Sequence, residues 1–555
     1  MRIQTKENTF QVQTEDGRTG VFLKNTTGGE ILEYFRPPHW EKVVLVKVNH
    51  RLQSLHEPIE EPCSIQWIYL ESPEGIKAYQ FTLCMVLVRA VEELFPQERI
   101  VIDHSLGKGF FCELKTGRSI SRRMIQKIKS QMWKIVQQDD PIFPVRFSRK
   151  EIELHWNRTG EKGGWFIENA ETLTTLFRCG GTTDYFAYPL LPSTGRIKSF
   201  DLVPWHHGMI LWMPDNAPLE RLPKFIPHPK LFQIFSEFGR WEKILGVSTA
   251  VDLNRVVREG EISDLIKIAE GLHEKKIAFL ADTIAREKKR YRVVLIAGPS
   301  SSGKTTFTKR LNIQLRVNGV FPLVISLDDY FFDRAKTPLD NEGKPDYESI
   351  RAVDLDQFYA DLSALLEGKA VQIPKYDFHQ GIRTPGPVVR VEPGHPILVE
   401  GLHALNEEFV ERVPCKGKYK IYVSALTQLN ITDHLRVSTS DIRFLRRLVR
   451  DSQFRNHSAW DTLSIWPLVR RGEEKYIFPF QEKSDVIFNS ALTYEPCILR
   501  VFAEPLLEAI PKTHPYYFEA DRISQLLKTF LPVSPDEVPP TSILREFIGG
   551  SSFKY

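Results

Sequence analysis

Gly298 and Gly303, then Lys304, Thr305 and Thr306, stand in the order G-x-x-x-x-G-K-T-T behind four aliphatics, Val293 to Ile296. A glycine-rich turn of this spacing lets successive backbone N–H groups point inward at phosphate oxygens. Gly298, Ser300, Ser301, Ser302, Gly303 and Thr306 are then candidate nucleotide contacts, Lys304 reaches the β- and γ-phosphates, and Thr305 offers its hydroxyl to Mg²⁺. The aliphatic run reads as a buried strand of a parallel sheet. Phe307, Arg310, Leu311 and Leu315 suit a following helix whose positive end faces the anion.

A carboxylate that accepts a proton, and another that holds the metal, are what phosphoryl transfer to a hydroxyl would add. Leu323 to Leu327 reads as a second buried strand ending in Asp328-Asp329-Tyr330-Phe331, and Pro396 to Val399 as a third ending in Glu400-Gly401. In open α/β sheets ligands sit beyond the carboxyl ends of the strands, so Asp328 is the expected base and Glu400 the expected metal partner beside Thr305. Pro374-Lys375-Tyr376-Asp377-Phe378 and the following Arg383 read as a Pro/Gly-rich loop without regular structure, in which Tyr376 gives an aromatic wall and Arg383 a charge. Downstream, Arg443, Arg446, Arg447 and Arg450 fall on one helical face. Four cations on one face call for an anion, and the triphosphate under a closing lid is the expected one.

Together these motifs resemble the uridine kinase and phosphoribulokinase family of P-loop kinases, across about residues 290–495. The resemblance rests on Gly298 to Thr305, Asp328-Asp329-Tyr330-Phe331, Pro345-Asp346, Pro374 to Phe378, Glu400-Gly401 and the R-x-x-R-R-x-x-R-D run that begins at Arg443. It implies transfer of the ATP γ-phosphate, with Mg²⁺, to a primary hydroxyl such as the 5′-OH of uridine or cytidine. It also implies Asp328 as general base, Arg446 and Arg450 as phosphate contacts, and Tyr330 and Arg447 on the substrate side. Glu342-Gly343-Lys344 replaces an aromatic and an acid of the family, and Gly381 stands where its base-reading histidine would be. A site without those partners loses selectivity for the base, so another nucleoside or a small polyol stays open as acceptor.

The chain has 555 residues, too many for one core. Lysine and arginine exceed aspartate and glutamate by only four, so no global field demands nucleic acid or a membrane. Six scattered cysteines without metal-ligand spacing, and a Met1 to Glu7 start without an apolar signal core, predict a cytoplasmic protein with no membrane contact. The fold class expected is multidomain α/β and α+β, with a C-terminal P-loop kinase built on a parallel sheet.

Residues 1–230 resemble the N-terminal half of threonyl-tRNA synthetase, a TGS domain followed by an editing-type domain. Val48-Asn49-His50-Arg51-Leu52, Ala90-Val91-Glu92-Glu93-Leu94-Phe95-Pro96 and Pro192-Ser193-Thr194-Gly195 are among the residues that carry the likeness. The resemblance implies a small ubiquitin-like β-grasp domain over 1–70 and an α+β editing-like domain over 71–235. A helical connector over 236–289, the kinase over 290–510 and a tail over 511–555 complete the division. The family's editing ligands align with Phe81, Met85 and the neighbourhood of Phe186 and Leu190, all apolar, so this half is expected to be non-hydrolytic. His104 reads as structural, and His206-His207 point apart on a strand. An RNA-associated regulatory ATPase, with RNA held by the N-terminal half, is the alternative function, and self-association is left open.

Overall fold

The computed structural model describes residues 8–148, 150–152, 154, 174–339, 343, 345–377 and 380–554. Met1 to Glu7, Glu342, Lys344 and Phe378, each used above, lie outside the described residues.

Alternating apolar and polar residues at the start build β1 (Thr9–Thr14) and β2 (Thr19–Leu23). The two-residue β3 (Thr26–Thr27) follows, then α1 (Gly28–Phe35), whose first turn is closed by a Thr27/Glu30 capping box. With β4 (Val43–Val48), β5 (Arg51–Ser54), β6 (Pro58–Ile59) and β7 (Cys63–Tyr69) the main sheet takes the order β2-β1-β7-β4-β5. β1 and β7 run parallel and the other pairs antiparallel, so the first and last long strands lie side by side.

The long α2 (Pro73–Leu94) is buried along most of its length. It packs with α3 (Arg122–Gln138) on a sheet made from β8 (Ile100–Leu106) and β9 (Gly109–Leu114) and continued by later strands. β10 (Ile142–Phe147), β11 (Thr174–Cys179) and β12 (Thr182–Asp184) form a separate antiparallel sheet. β13 (Asp201–Trp205) and β14 (Gly208–Trp212) complete the order β13-β14-β9-β8. Phe81 and Met85 lie on α2. The Phe81 ring stands 6.1 Å from Phe186 and 5.9 Å from Tyr188, so an aromatic cluster takes the expected ligand positions. His104 is buried, stacks 4.0 Å from Phe235 and meets Asp103 at 2.8 Å, as a structural histidine does. His206 stacks on Phe232 while His207 turns to Glu113.

Helices α4 (Pro229–Leu245), α5 (Ala250–Arg258) and α6 (Ile262–Arg286) lead to a five-stranded sheet. Its region begins with β15 (Val293–Ala297), α7 (Lys304–Val317) and β16 (Leu323–Ser326); after α8 (Leu355–Leu366) comes a separate hairpin of β17 (Val371–Asp377) and β18 (Ile382–Val389). The hairpin corrects the loop expected around Tyr376 and Arg383: prolines at 374 and 385 face each other in an isolated two-stranded ribbon, where each strand has a free edge. β19 (Ile397–Glu400), α9 (Glu407–Arg412), β20 (Lys418–Ser424), α10 (Thr439–Phe454), α11 (Ala459–Tyr476) and β21 (Val486–Asn489) follow. The sheet is entirely parallel in the order β16-β19-β15-β20-β21, and every residue of β15 and β19 is buried, as a strand covered on both faces requires. Helices α12 (Glu495–Glu508), α13 (Tyr517–Lys528) and α14 (Arg545–Ile548) end the chain. Among the described residues no helix is long and apolar enough to cross a membrane.

The two halves interlock through residues 425–435, all buried, which link β20 to α10. The Ile102 N–H donates to the Asp433 carbonyl at 2.9 Å. The buried His434 ring lies 2.8 Å from Asp184 and 3.1 Å from the Ile100 carbonyl. Asp184→Ala removes this carboxylate from a closed interior and is expected to cost about 2 kcal/mol, read as a lower melting temperature of the full chain. Asp184→Asn, which keeps an acceptor, should lose less; equal melting of Asp184→Ala and the unaltered chain would contradict the reading.

Candidate functional site

At the carboxyl end of β15 the chain turns through Ser301 and Gly303, both in the left-handed region at φ 58° and 81°, and enters α7. A side chain at Gly298 would meet the Val423 carbonyl at 2.0 Å, and one at Gly303 would meet Ile543 at 2.4 Å, so both positions need glycine. The Lys304 ammonium folds back to the Pro299 carbonyl at 3.1 Å. Burial lowers its pKa, while the carboxylates of Glu400, Asp328 and Glu546 hold the charge. The hydroxyls of Ser301 and Ser302 are buried with no protein partner among the described residues.

Parallel register sets the acids beside this turn. Ile296 pairs with Glu400, and Glu400 with Ser326, so the carboxyl ends of β15, β19 and β16 stand in one row. The Thr305 hydroxyl donates to Glu400 at 3.2 Å. Burial, reinforced by the nearby Asp328 charge, pushes Glu400 up to about 7. Asp328 follows Ser326 by two residues in a 3₁₀ turn, where burial raises its pKa against the opposing pull of Lys304. Its neighbour Asp329 is engaged elsewhere: it accepts from the Tyr376 N–H at 3.2 Å and pairs with Lys375 at 3.1 Å, tying the hairpin to the sheet. The residues foreseen as lysine, hydroxyl, metal carboxylate and base therefore converge.

Several other expected contacts do not reach the opening. Tyr330 is fully buried and its hydroxyl donates to Asp361 at 3.0 Å, so it supports the Asp328 turn from within and touches no substrate; this corrects its place on the substrate side. Arg383 pairs with Asp354 at 2.9 Å, and Tyr376 is mostly buried with its ring 5.8 Å from Phe331. Arg446 is fully buried and donates to Glu495 at 2.7 Å and to the Ser490 carbonyl at 2.8 Å, which corrects its reading as a phosphate contact. The anions that neutralise the arginine face are internal carboxylates. Arg443 pairs with the buried Glu473, and Arg450 bonds Asp451 at 2.7 and 2.9 Å. Arg443 and Arg447 do meet the glycine-rich turn, at the Ser300 carbonyl and hydroxyl, each at 2.9 Å.

Four residues were not foreseen. The Ser300 N–H donates to Glu473 at 3.0 Å, and the Thr306 N–H and hydroxyl both donate to Glu546, at 3.1 and 2.6 Å. Carboxylates thus hold both ends of the amide cradle. Glu348 packs where Gly472 leaves room, and one of its oxygens is buried with no protein partner among the described residues. His403, just past Glu400, is buried beside Tyr476, and burial depresses it to about 4 against the opposing effect of a hydrogen bond with the Glu348 backbone. Only its position after Glu400-Gly401 marked His403 in the sequence; the other three lie in segments whose fold alone brings them in.

Residues 293–495 match the model of the Phosphoribulokinase / Uridine kinase family. A uridine kinase of Deinococcus deserti is 31% identical over 208 residues, covering 37% of this chain and 91% of that protein. The N-terminal half matches threonine–tRNA ligases: that of Symbiobacterium thermophilum is 26% identical over 195 residues, covering 35% of this chain. The chain spans only about a third of such ligases, 30% in that case. A solved structure described as a possible uridine kinase from Bacillus stearothermophilus aligns at 21% identity and a TM-score of 0.27, over 39% of this chain and 98% of that one.

Burial pushes Glu348 up to about 7, and the Glu473 charge adds to the shift. A carboxyl raised above its unfolded value near 4.5 stabilises fully below that value, and the stabilisation is lost as pH rises through 7. Glu348→Gln should therefore gain least over the unaltered chain at pH 4, below the unfolded value, and melt clearly above it at pH 8; a constant difference across that range would contradict the assignment.

Proposed function

We propose that this chain, which belongs to the phosphoribulokinase and uridine kinase family, transfers the γ-phosphoryl group of ATP to a hydroxyl of a nucleoside or similar small acceptor. The observation that carries this is the row of strand ends that brings Lys304, Thr305, Glu400 and Asp328 together.

In this reading the amides from Gly298 to Thr306 cradle the phosphates, and Lys304 swings from the Pro299 carbonyl to the β- and γ-phosphates. Thr305 and Glu400, already hydrogen-bonded as two oxygen donors, fit a Mg²⁺ ion, which would neutralise charge on the transferring group. Asp328 takes the proton of the attacking hydroxyl, and burial, by raising its pKa, makes it the stronger base. Arg447 already rests on the Ser300 hydroxyl of the cradle and is the lid arginine placed towards the substrate. On the acceptor side Glu348 offers a buried carboxylate oxygen with no protein partner among the described residues, and the His403 ring is buried next to it, a pair suited to the hydroxyls of a ribose or polyol.

The N-terminal sheet order, with first and last long strands parallel at its centre, supports residues 1–70 as a TGS-like β-grasp domain. Residues 71–235 read as an editing-like domain without its ligands, 236–289 as a connector, 290–510 as the kinase and 511–555 as a tail. One observation favours a second reading, an RNA-associated regulatory ATPase: the ligase-like half grips residues 425–435 at the root of the arginine helix. A cytoplasmic setting suits either reading.

An ADP-release assay of the full chain with nucleosides and small polyols tests the first. Release should depend on an acceptor and fall at least ~100-fold in Lys304→Ala and in Asp328→Ala. His403→Gln should raise KM for the acceptor more than it lowers kcat. Full activity in both the lysine and the aspartate variants would refute the assignment, and acceptor-independent ADP release would favour the ATPase.

A further inference from the structure

The C-terminal strap meets the phosphate cradle directly. Leading from α13 to the end of the chain, it buries Ile543, Leu544 and Phe547 completely, and Ile543 lies over Gly303, where any side chain would collide with it. Arg545 braces the strap against its own carbonyls, bonding Val538 at 2.7 Å and Pro535 at 2.8 Å. This rigid turn aims Glu546 at the first turn of α7, where a single carboxylate oxygen accepts from both the amide and the hydroxyl of Thr306. Phe547 lies 5.2 Å from the Arg446 guanidinium, and the Lys309 ammonium donates to the Lys554 carbonyl. Earlier in the same tail, Arg522 on α13 clamps Asp441 of the arginine helix at 2.6 Å, and Phe518 stands 5.4 Å from Tyr188 of the N-terminal half.

An amide and a hydroxyl at the positive end of α7 are donors that a polyphosphate would claim. A carboxylate and a phosphate oxygen cannot share them, because both are anionic acceptors at one point. We propose that the strap is an autoinhibitory latch: Glu546 occupies the inner end of the phosphate site, and a donor nucleotide binds only when Glu546 leaves Thr306 and Ile543 lifts off Gly303. This rests on the reading that the cradle holds ATP. The latch is joined through α13 to both the arginine helix and the N-terminal half, so whatever shifts α13 changes access to the cradle.

The test is Mg·ATP binding to the full chain by calorimetry, for the unaltered protein, Glu546→Ala and Glu546→Gln, with tryptic cleavage after Arg545 followed by mass. A latch open in only about a tenth of the molecules weakens apparent affinity ~10-fold, because only the open fraction binds, so Glu546→Ala should bind ~10-fold more tightly and Glu546→Gln should lie between. In the unaltered chain, saturating Mg·ATP should speed cleavage after Arg545. Equal or weaker binding by both variants, with cleavage unchanged by ATP, would make Glu546 a permanent helix cap and overturn the latch alone. Binding by none of the three proteins would overturn the latch together with the ATP reading. Cleavage needs no substitution, so a variant that misfolds leaves the test intact.

Discussion

Parallel register is the constraint on which the site depends. Hydrogen bonding between β15, β19 and β16 aligns Ile296, Glu400 and Ser326, so Glu400 stands on that line while the glycine-rich turn and Asp328 follow beyond it. A slip of one residue in β19 would turn Glu400 to the other face and leave the Thr305 hydroxyl without its partner. The strands that hold this register, β15 and β19, are wholly buried, so packing on both faces opposes such a slip.

A second constraint is electrostatic. The arginine helix carries four guanidiniums towards the interior, and the fold answers with Glu473, Glu495 and Asp451, all fully buried or nearly so. Buried pairs of this kind are costly to break, because the surviving partner is left charged in a poor solvent. They hold the helix in one position while Arg443 and Arg447 rest on Ser300. Glu473 and Glu546 extend the same pattern to the cradle itself, whose amides meet internal carboxylates. The interlocked loop around His434 places the root of this helix in contact with the N-terminal half, so the two halves are mechanically one object at that point.

Much of this was legible in the residues. Gly298, Gly303, Lys304 and Thr305 announce a phosphate cradle because backbone geometry demands them, and Asp328 and Glu400 follow because apolar runs mark the strands they terminate. Tyr330 and Arg446 were misread because spacing on a turn or helix says which residues share a face and not whether that face meets solvent or another helix. The β17–β18 hairpin was missed because its prolines, which forbid a central strand, are harmless in an isolated ribbon. Glu348, Glu473 and Glu546 carry no local signal; they reach the site through tertiary packing of segments remote in sequence from the cradle.

In the proposed reaction the phosphoryl group ends on an organic hydroxyl and not on water. Phosphorus NMR of the full chain with Mg·ATP and a mixture of nucleosides and polyols tests it most directly. The account predicts a new phosphomonoester resonance that grows in step with ADP. Inorganic phosphate as the sole product accompanying ADP would contradict it.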